Sequence, residues 1–328
     1  MGDGAMNEAP LPIAVLTGFL GSGKTTFLRR VLASPAMGDT AVVINEFGEV
    51  GLDHLLVAAS PDDVVQLPNG CLCCAVRQDL VRTLHGLLTR RAEAALPPFR
   101  RVVVETSGLA EPAPILYTLA ADPYLERALR FDTVLTVVDA LAGSSTLERY
   151  AEATAQAVVA DRLLISKTDL APAPEALLAG LAALNPSAEI VLAAGLVEPA
   201  SALFRETGSE PRRPVRRLWS AAVHSHGIST VAIELRQAMT RLDFARALGG
   251  LARERGEDLL RVKGIVGFAD VPSRPAAIHA VQHTLYPPEW FPEWPDADHR
   301  SRLVFITRDI ASDEILTRFA AGAPRVLD

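Results

Sequence analysis

Cysteine is scarce in this chain: 328 residues contain three, and all of them fall within Cys71-Leu72-Cys73-Cys74. A disulfide framework would need thiols distributed along the chain, so this cluster points to metal or redox chemistry instead. Long apolar runs are also missing. None approaches the 18 or more residues of a membrane span, and the longest are of strand length. There is no basic excess: the net charge of -7 favours solubility and argues against a general nucleic-acid binder. The opening residues, MGDGAMNEAP, lack the basic-then-apolar pattern of a secretory signal. No internal repeat or low-complexity tract is present. The expectation is a cytoplasmic protein with no membrane or nucleic-acid partner.

At 49% hydrophobic and 22% charged, the chain can bury a large core and is expected to form two domains. Up to about residue 195, short Val/Ile/Leu runs at 13–18, 40–47, 63–67, 101–106, 132–140, 161–167 and 188–193 alternate with helix-length stretches. Those stretches are Lys24–Ala33, Ala75–Arg91, Ala113–Ala121, Leu147–Val158 and Pro174–Leu184. Buried strands, each followed by a helix, predict a parallel α/β sheet covered on both faces. Residues 1–10 read as a disordered N-terminus, 11–204 as a nucleotide-binding domain, and the polar, Pro-rich 205–217 as a linker. Residues 218–328 read as a smaller α+β domain: strands over 217–225, 227–235, 259–268, 276–285 and 301–310, with helices Phe244–Glu254 and Ser312–Ala321.

Gly18-Phe19-Leu20-Gly21-Ser22-Gly23-Lys24-Thr25 satisfies every fixed position of G-x-x-x-x-G-K-[ST], after an apolar strand and at the start of a helix. Glycines let backbone N–H groups turn around phosphates without a Cβ in the way, and the helix N-terminus adds its dipole. Lys24 is suited to the β- and γ-phosphates and Thr25 to Mg²⁺, with Ser22 and Thr26 completing the loop. The strand Val102–Val104 ends in Glu105, which can order Mg²⁺ or its waters, and Gly108 follows as a candidate γ-phosphate contact. Ser166-Lys167-Thr168-Asp169 ends another strand and resembles the guanine-reading Asn-Lys-x-Asp motif. Asp169 can accept both N1–H and N2–H₂ of guanine, a donor pair adenine lacks, and the Lys167 stem can cover the base. Ser166 departs from the usual Asn.

With NEFGEVGLD (45–53), GCLCC (70–74), VVVETSG (102–108) and SKTDL (166–170), the phosphate loop makes the chain resemble the CobW-like GTPases. LLRVKGIV (259–266), HAVQHTLYPP (279–288) and SRLVFITRDI (301–310) resemble that family's C-terminal domain, so the likeness runs from about Pro12 to Phe319. The resemblance implies a P-loop GTPase whose GTP/GDP state controls capture and delivery of a divalent metal to a client metalloenzyme. It implies Cys71, Cys73 and Cys74 as metal ligands, with Glu49 or Glu46 adding a carboxylate from a switch segment. A His-rich insertion found in many members is missing.

Read as chemistry, three thiolates suit Zn²⁺, Co²⁺ or Cu⁺ over Mg²⁺. A bend at Cys73–Cys74, after the flexible Asn69-Gly70, would let all three converge. A redox thiol cluster and buried structural cysteines remain as alternatives. His224 with His226, and His279 with His283, read as structural, PPEWFPEWP (287–295) as a rigid crossing that anchors two indoles, and Asp139 as a helix cap or a nucleotide-edge residue. No glutamine or arginine is marked as a water-positioning group, so intrinsic hydrolysis is expected to be slow until a metal, a partner or a homodimer completes it. The leading function is a GTP-hydrolysing metal carrier. The competing ones are a nucleotide-gated zinc sensor with negligible turnover and an ATP-dependent phosphoryl-transfer enzyme.

Overall fold

The computed structural model describes residues 9–45, 65–66, 72–76, 80–204, 222–223, 227–295 and 299–327, with the backbone alone described at 45, 65–66, 72–76 and 222–223. The expected linker, the N-terminal 1–8, Glu46, Glu49, Cys71, His224 and His226 lie outside them. Two compact units emerge, and they do not follow chain order. One joins Met1–Thr146, Ala160–Ala173 and Ile190–Thr207; the other joins Leu147–Val159, Pro174–Glu189 and Gly208–Asp328.

The first unit is built on strands β1 (Leu11–Thr17), β2 (Thr40–Asn45), β3 (Val65–Gln66), β4 (Leu72–Val76), β5 (Arg101–Thr106), β6 (Leu129–Asp139), β7 (Arg162–Ser166) and β8 (Glu189–Leu192). They lie in the order β3-β4-β2-β5-β1-β6-β7-β8. The pairs from β4 through β7 are parallel, and β3 adds an antiparallel edge. Helices α1 (Lys24–Ala33), α2 (Leu80–Ala92), α3 (Pro112–Ala121) and α5 (Gly143–Arg149) follow strands, α4 (Pro123–Ala128) follows α3, and the short α8 (Ala200–Leu203) comes after β8. Apolar runs become central strands because helices cover both faces: Ala14, Val15 and Leu16 in β1, and Val103 and Val104 in β5, are fully buried. Helix α1 turns Phe27, Leu28, Val31 and Leu32 into the same core as Leu16, Val42, Val103, Leu135 and Leu164. Each such side chain contributes about 1.5–3 kcal/mol by leaving water.

Some boundaries move. The expected helix 75–91 begins at Leu80, because Ala75 and Val76 belong to β4. The expected 147–158 helix is two, α5 and α6 (Ala151–Val158), split at Tyr150, whose extended φ/ψ of -123° and 116° opens α6.

The second unit combines α6 and α7 (Glu175–Leu184) with an antiparallel sheet. Its strands are β9 (Ala222–Val223), β10 (Ile228–Leu235), β11 (Arg261–Phe268), β12 (Val271–Val281), β13 (Thr284–Leu285), β14 (Glu289–Trp290), β15 (Ser301–Arg308) and β16 (Pro324–Val326). The main path runs β13-β12-β11-β15-β10-β16. Phe244, Leu248 and Leu251 of α9 (Arg241–Arg255) and Ile315 of α10 (Ser312–Arg318) pack with Val262, Ile278, Leu303 and Phe305 of the sheet. Helix α9 starts before the expected Phe244 because Thr240 caps it, its hydroxyl accepting the Asp243 N–H at 3.1 Å. The expected 276–285 strand is a hairpin, broken at Gln282 with φ 50°. From the described residues of unit 2, the carbonyls ending α6 are capped: Asn185 Nδ2 donates to Ala157 O at 2.9 Å and Val158 O at 2.8 Å, and Arg261 donates to Val159 O. Thr230 donates to Leu184 O at 3.2 Å. Trp290 leans on Phe268, and Trp294 packs with Ile265, Ala277 and Phe291, so the sheet holds both indoles.

Candidate nucleotide and metal site

The loop between β1 and α1 has the backbone that its glycines require. Gly18, Gly21 and Gly23 take φ values of 142°, 69° and 97°. A Cβ on Gly18 would lie 2.4 Å from Val137 O, whereas one on Gly21 would meet nothing within 4 Å, so Gly21 bounds open space. Gly23 occupies the cap position of α1 without any side-chain cap, which leaves the helix's leading N–H groups for an anion. Inside the loop, Ser22 is 2% exposed, yet its hydroxyl has no hydrogen-bond partner among the described residues. Lys24 is buried, and its Nζ donates to the carbonyls of Gly18 at 2.8 Å and Phe19 at 3.2 Å. The ammonium thus lies beneath the loop, where it can exchange carbonyl oxygens for phosphate oxygens. Thr26 is exposed in the first turn of α1.

Glu105, at the end of β5, is 3% exposed. The Thr25 hydroxyl donates to its Oε1 at 3.4 Å. A hydroxyl and a buried carboxylate side by side form a hard oxygen pair suited to Mg²⁺. Behind them Thr106 donates to Thr17 at 2.8 Å, fixing β5 against β1. Gly108 lies against the phosphate loop, since a Cβ there would sit 2.9 Å from Leu20 N.

Ser166, Lys167 and Asp169 fall at the end of β7, and their placements differ. Ser166 is buried, and its hydroxyl donates to Ser22 O at 2.5 Å and to Val138 O at 3.3 Å. That places it beside the phosphate loop, with Gly23 against it. Lys167 has left-handed backbone, φ 57°, and its Nζ meets Asp139 Oδ2 at 2.6 Å. Asp169 is exposed, and the Thr168 hydroxyl accepts the Ala194 N–H at 3.1 Å.

Cys73 and Cys74 lie in the same sheet. Strand β4 pairs with β2 so that Cys73 faces Val42 and Cys74 faces Val43 in register, while β2 pairs Ile44 with Glu105. The backbone of Cys73 and Cys74 is regular strand, so the bend expected between them is absent. The apolar run Leu-Cys-Cys-Ala-Val reads as strand once its thiols are counted as small hydrophobes. No cluster of three His, Cys, Asp or Glu side chains occurs among the described residues, which do not include Cys71 or the side chains of Cys73 and Cys74.

A parallel sheet, a glycine cradle closed on a buried lysine, and a threonine–carboxylate pair define a P-loop nucleoside triphosphatase. Residues 12–192 match the family model of the CobW/HypB/UreG nucleotide-binding domain, and residues 228–323 match the cobalamin synthesis protein cobW C-terminal domain. The chain belongs to the CobW/HypB/UreG family. It is 32% identical over 317 residues to the zinc chaperone YjiA of Escherichia coli, spanning 95% of this chain and 98% of that protein. To the zinc chaperone CobW of a Sinorhizobium species it is 30% identical over 315 residues, covering 82% and 84% of the two chains. The crystal structure of Zn(II)-bound YjiA GTPase from E. coli superposes with a TM-score of 0.75 at 30% identity, covering 96% of this chain and 99% of that one. Among the described residues no helix is long and apolar enough to cross a membrane.

Proposed function

We propose that this protein is a Mg²⁺-dependent GTPase that carries zinc, or a related soft divalent ion, to a client metalloprotein. The observation that supports it most directly is the sheet register. The cysteine strand β4 is two strands from β5, and Cys74 lies one residue before the row that carries Glu105. At ~4.8 Å per strand, backbone bearing thiols and backbone bearing the catalytic carboxylate are about 10 Å apart. A change at the γ-phosphate therefore has a short, hydrogen-bonded route to the metal-binding element.

In this reading the N–H groups of Gly21, Ser22 and Gly23 and the Lys24 ammonium bind the phosphates. Water attacks the γ-phosphorus, the bond to the β–γ bridging oxygen breaks, and GDP and phosphate leave. Lys24 offsets charge that gathers on the bridging and γ-oxygens. Thr25 and Glu105 would hold Mg²⁺, which supplies further charge neutralisation when bound. Asp169 reads guanine. Cys71, Cys73 and Cys74, with Glu49, take the zinc cargo as thiolates and carboxylate, which requires β4 to give up its regular strand backbone at Cys73–Cys74 on loading. Turnover of the isolated protein is slow, because the sequence marks no glutamine or arginine to orient the water, and a client, metal or second copy accelerates it.

Zinc affinity, measured by competition with a chromophoric chelator, tests this. It should be at least several-fold tighter with a non-hydrolysable GTP analogue than with GDP, and should collapse in the Cys71→Ser/Cys73→Ser/Cys74→Ser variant. Equal affinity in the two nucleotide states refutes the coupling.

A further inference from the structure

Asp139 belongs to none of the motifs that the sequence marks for nucleotide binding, yet it holds the residue expected to stack on the base. Its Oδ2 accepts from Lys167 Nζ at 2.6 Å, and its Oδ1 accepts the Leu141 backbone N–H at 2.8 Å. Both carboxylate oxygens are thus engaged. The backbone sets the pair up: Asp139 is in register with Ser166 across β6 and β7, and the Ala140 N–H donates to Ser166 O at 3.2 Å. The side chains of Asp139 and Lys167 are 13% and 33% exposed, so the ion pair is partly withdrawn from water and stronger than a typical surface pair. Lys167 also holds a left-handed backbone that a non-glycine residue adopts only when its surroundings impose it.

We propose that Asp139 is a positioning residue for the nucleobase. By fixing the ammonium end of Lys167, it lays the four-carbon stem along one line, a ready-made shelf for the face of a purine. Asp169 meanwhile reads the edge. A lysine without that anchor samples many rotamers, and ordering it on binding weakens affinity. The inference rests on the assignment of residues 166–169 to guanine, and its test keeps the two apart.

Asp139→Asn keeps an oxygen for the Leu141 N–H and removes only the charge. Binding of GTP, XTP and inorganic tripolyphosphate is measured by calorimetry on the full chain, alongside steady-state GTP turnover. The expected result is GTP binding about 5- to 20-fold weaker, in line with loss of one partly buried charge pair, with a matching rise in KM. Tripolyphosphate binding stays within about twofold, since the phosphate loop is untouched. Lys167→Met, which keeps an unbranched stem without an anchor, should give the same loss, and Asp139→Asn should add nothing to it. Asp139→Glu should recover part of the affinity. Unchanged GTP binding in Asp139→Asn overturns the proposal. So does a parallel loss of tripolyphosphate binding, or a loss that persists in full on the Lys167→Met background. Asp169→Asn is the separate arm: it should shift preference from GTP toward XTP, whose C2 oxygen suits an amide donor. If it does not, the guanine assignment fails and the proposal with it, whatever Asp139→Asn does.

Discussion

Adding one methyl at Gly108 isolates how closely the loop after β5 must approach the phosphate loop. An ideal Cβ there would lie 2.8 Å from Leu20 Cδ2, 2.9 Å from Leu20 N and 3.0 Å from Leu20 Cα. The first contact is with the end of a side chain that is 56% exposed and free to turn away. The other two are with backbone and have no such escape. Moving from 2.9 Å to the 3.4 Å at which ordinary contact begins requires the loops to part by about 0.5 Å. Because one of these loops is on the surface, the stability penalty should be at the low end of overpacking, about 1 kcal/mol. Catalysis is less tolerant: displacements of this order at a reacting centre can reduce rates by up to about 100-fold. Gly108→Ala should therefore lower kcat for GTP by about 10- to 100-fold while GDP affinity, set by the rest of the loop, changes by less than about threefold. Single-turnover hydrolysis with GDP binding measured in parallel separates the two. Adding Leu20→Ala removes the Cδ2 contact but not the backbone ones, so the double variant should remain impaired. Full recovery in that double variant, or an unaffected kcat in Gly108→Ala, would refute the backbone-approach argument.

Other perturbations have equally definite outcomes. Ser166→Ala removes the donor held by Ser22 O and leaves a buried carbonyl short of a partner, worth about 1 kcal/mol or somewhat more; GTP and ATP affinities should both fall about 5- to 10-fold, whereas a loss confined to GTP would mark Ser166 as a base contact. Gly264→Ala would place a Cβ 2.0 Å from Arg302 O between paired strands β11 and β15; the cost of about 3 kcal/mol should lower Tm by roughly 6–12 °C in calorimetry. Asp122 caps α4, and the Leu125 N–H bonded to it, with lesser help from His85 and Tyr124 and against the opposing effect of burial, holds its carboxyl below the ordinary 3.8. A lowered folded pKa means the stabilisation is present above that ordinary value and disappears as pH falls through the lowered one. Asp122→Ala should accordingly be less stable than the parent at pH 7 in urea titrations, and the gap should close in strong acid.

The phosphate loop was fully legible in the sequence because its constraints are local: glycines at fixed spacing, a strand before and a helix after. The central strands were legible for a similar reason, since Val102–Val104 and Val134–Val138 are apolar without alternation. What escaped depends on partners far away in the chain. Asp139 and Lys167 are 28 residues apart, and only the β6–β7 register brings them together. Ser166 looked like an imperfect base reader; its contact with Ser22 spans 144 residues. At Cys73–Cys74 convergence of the thiols on one ion favours a bend, while Leu72, Ala75 and Val76 around them favour strand, and pairing with β2 decides it. The break at Gln282 had no glycine or proline to announce it.

Helices α6 and α7 lie between the strands of the nucleotide-binding sheet in sequence, yet they belong to the other unit. During synthesis they emerge before Thr230 can bond the end of α7 and before Arg261 can cap α6. The end of α7 therefore waits 46 residues for its partner and the end of α6 waits 102. A fragment ending at residue 204 would keep the phosphate loop yet lack Thr230 and Arg261, so the ends of both helices would lose these partners.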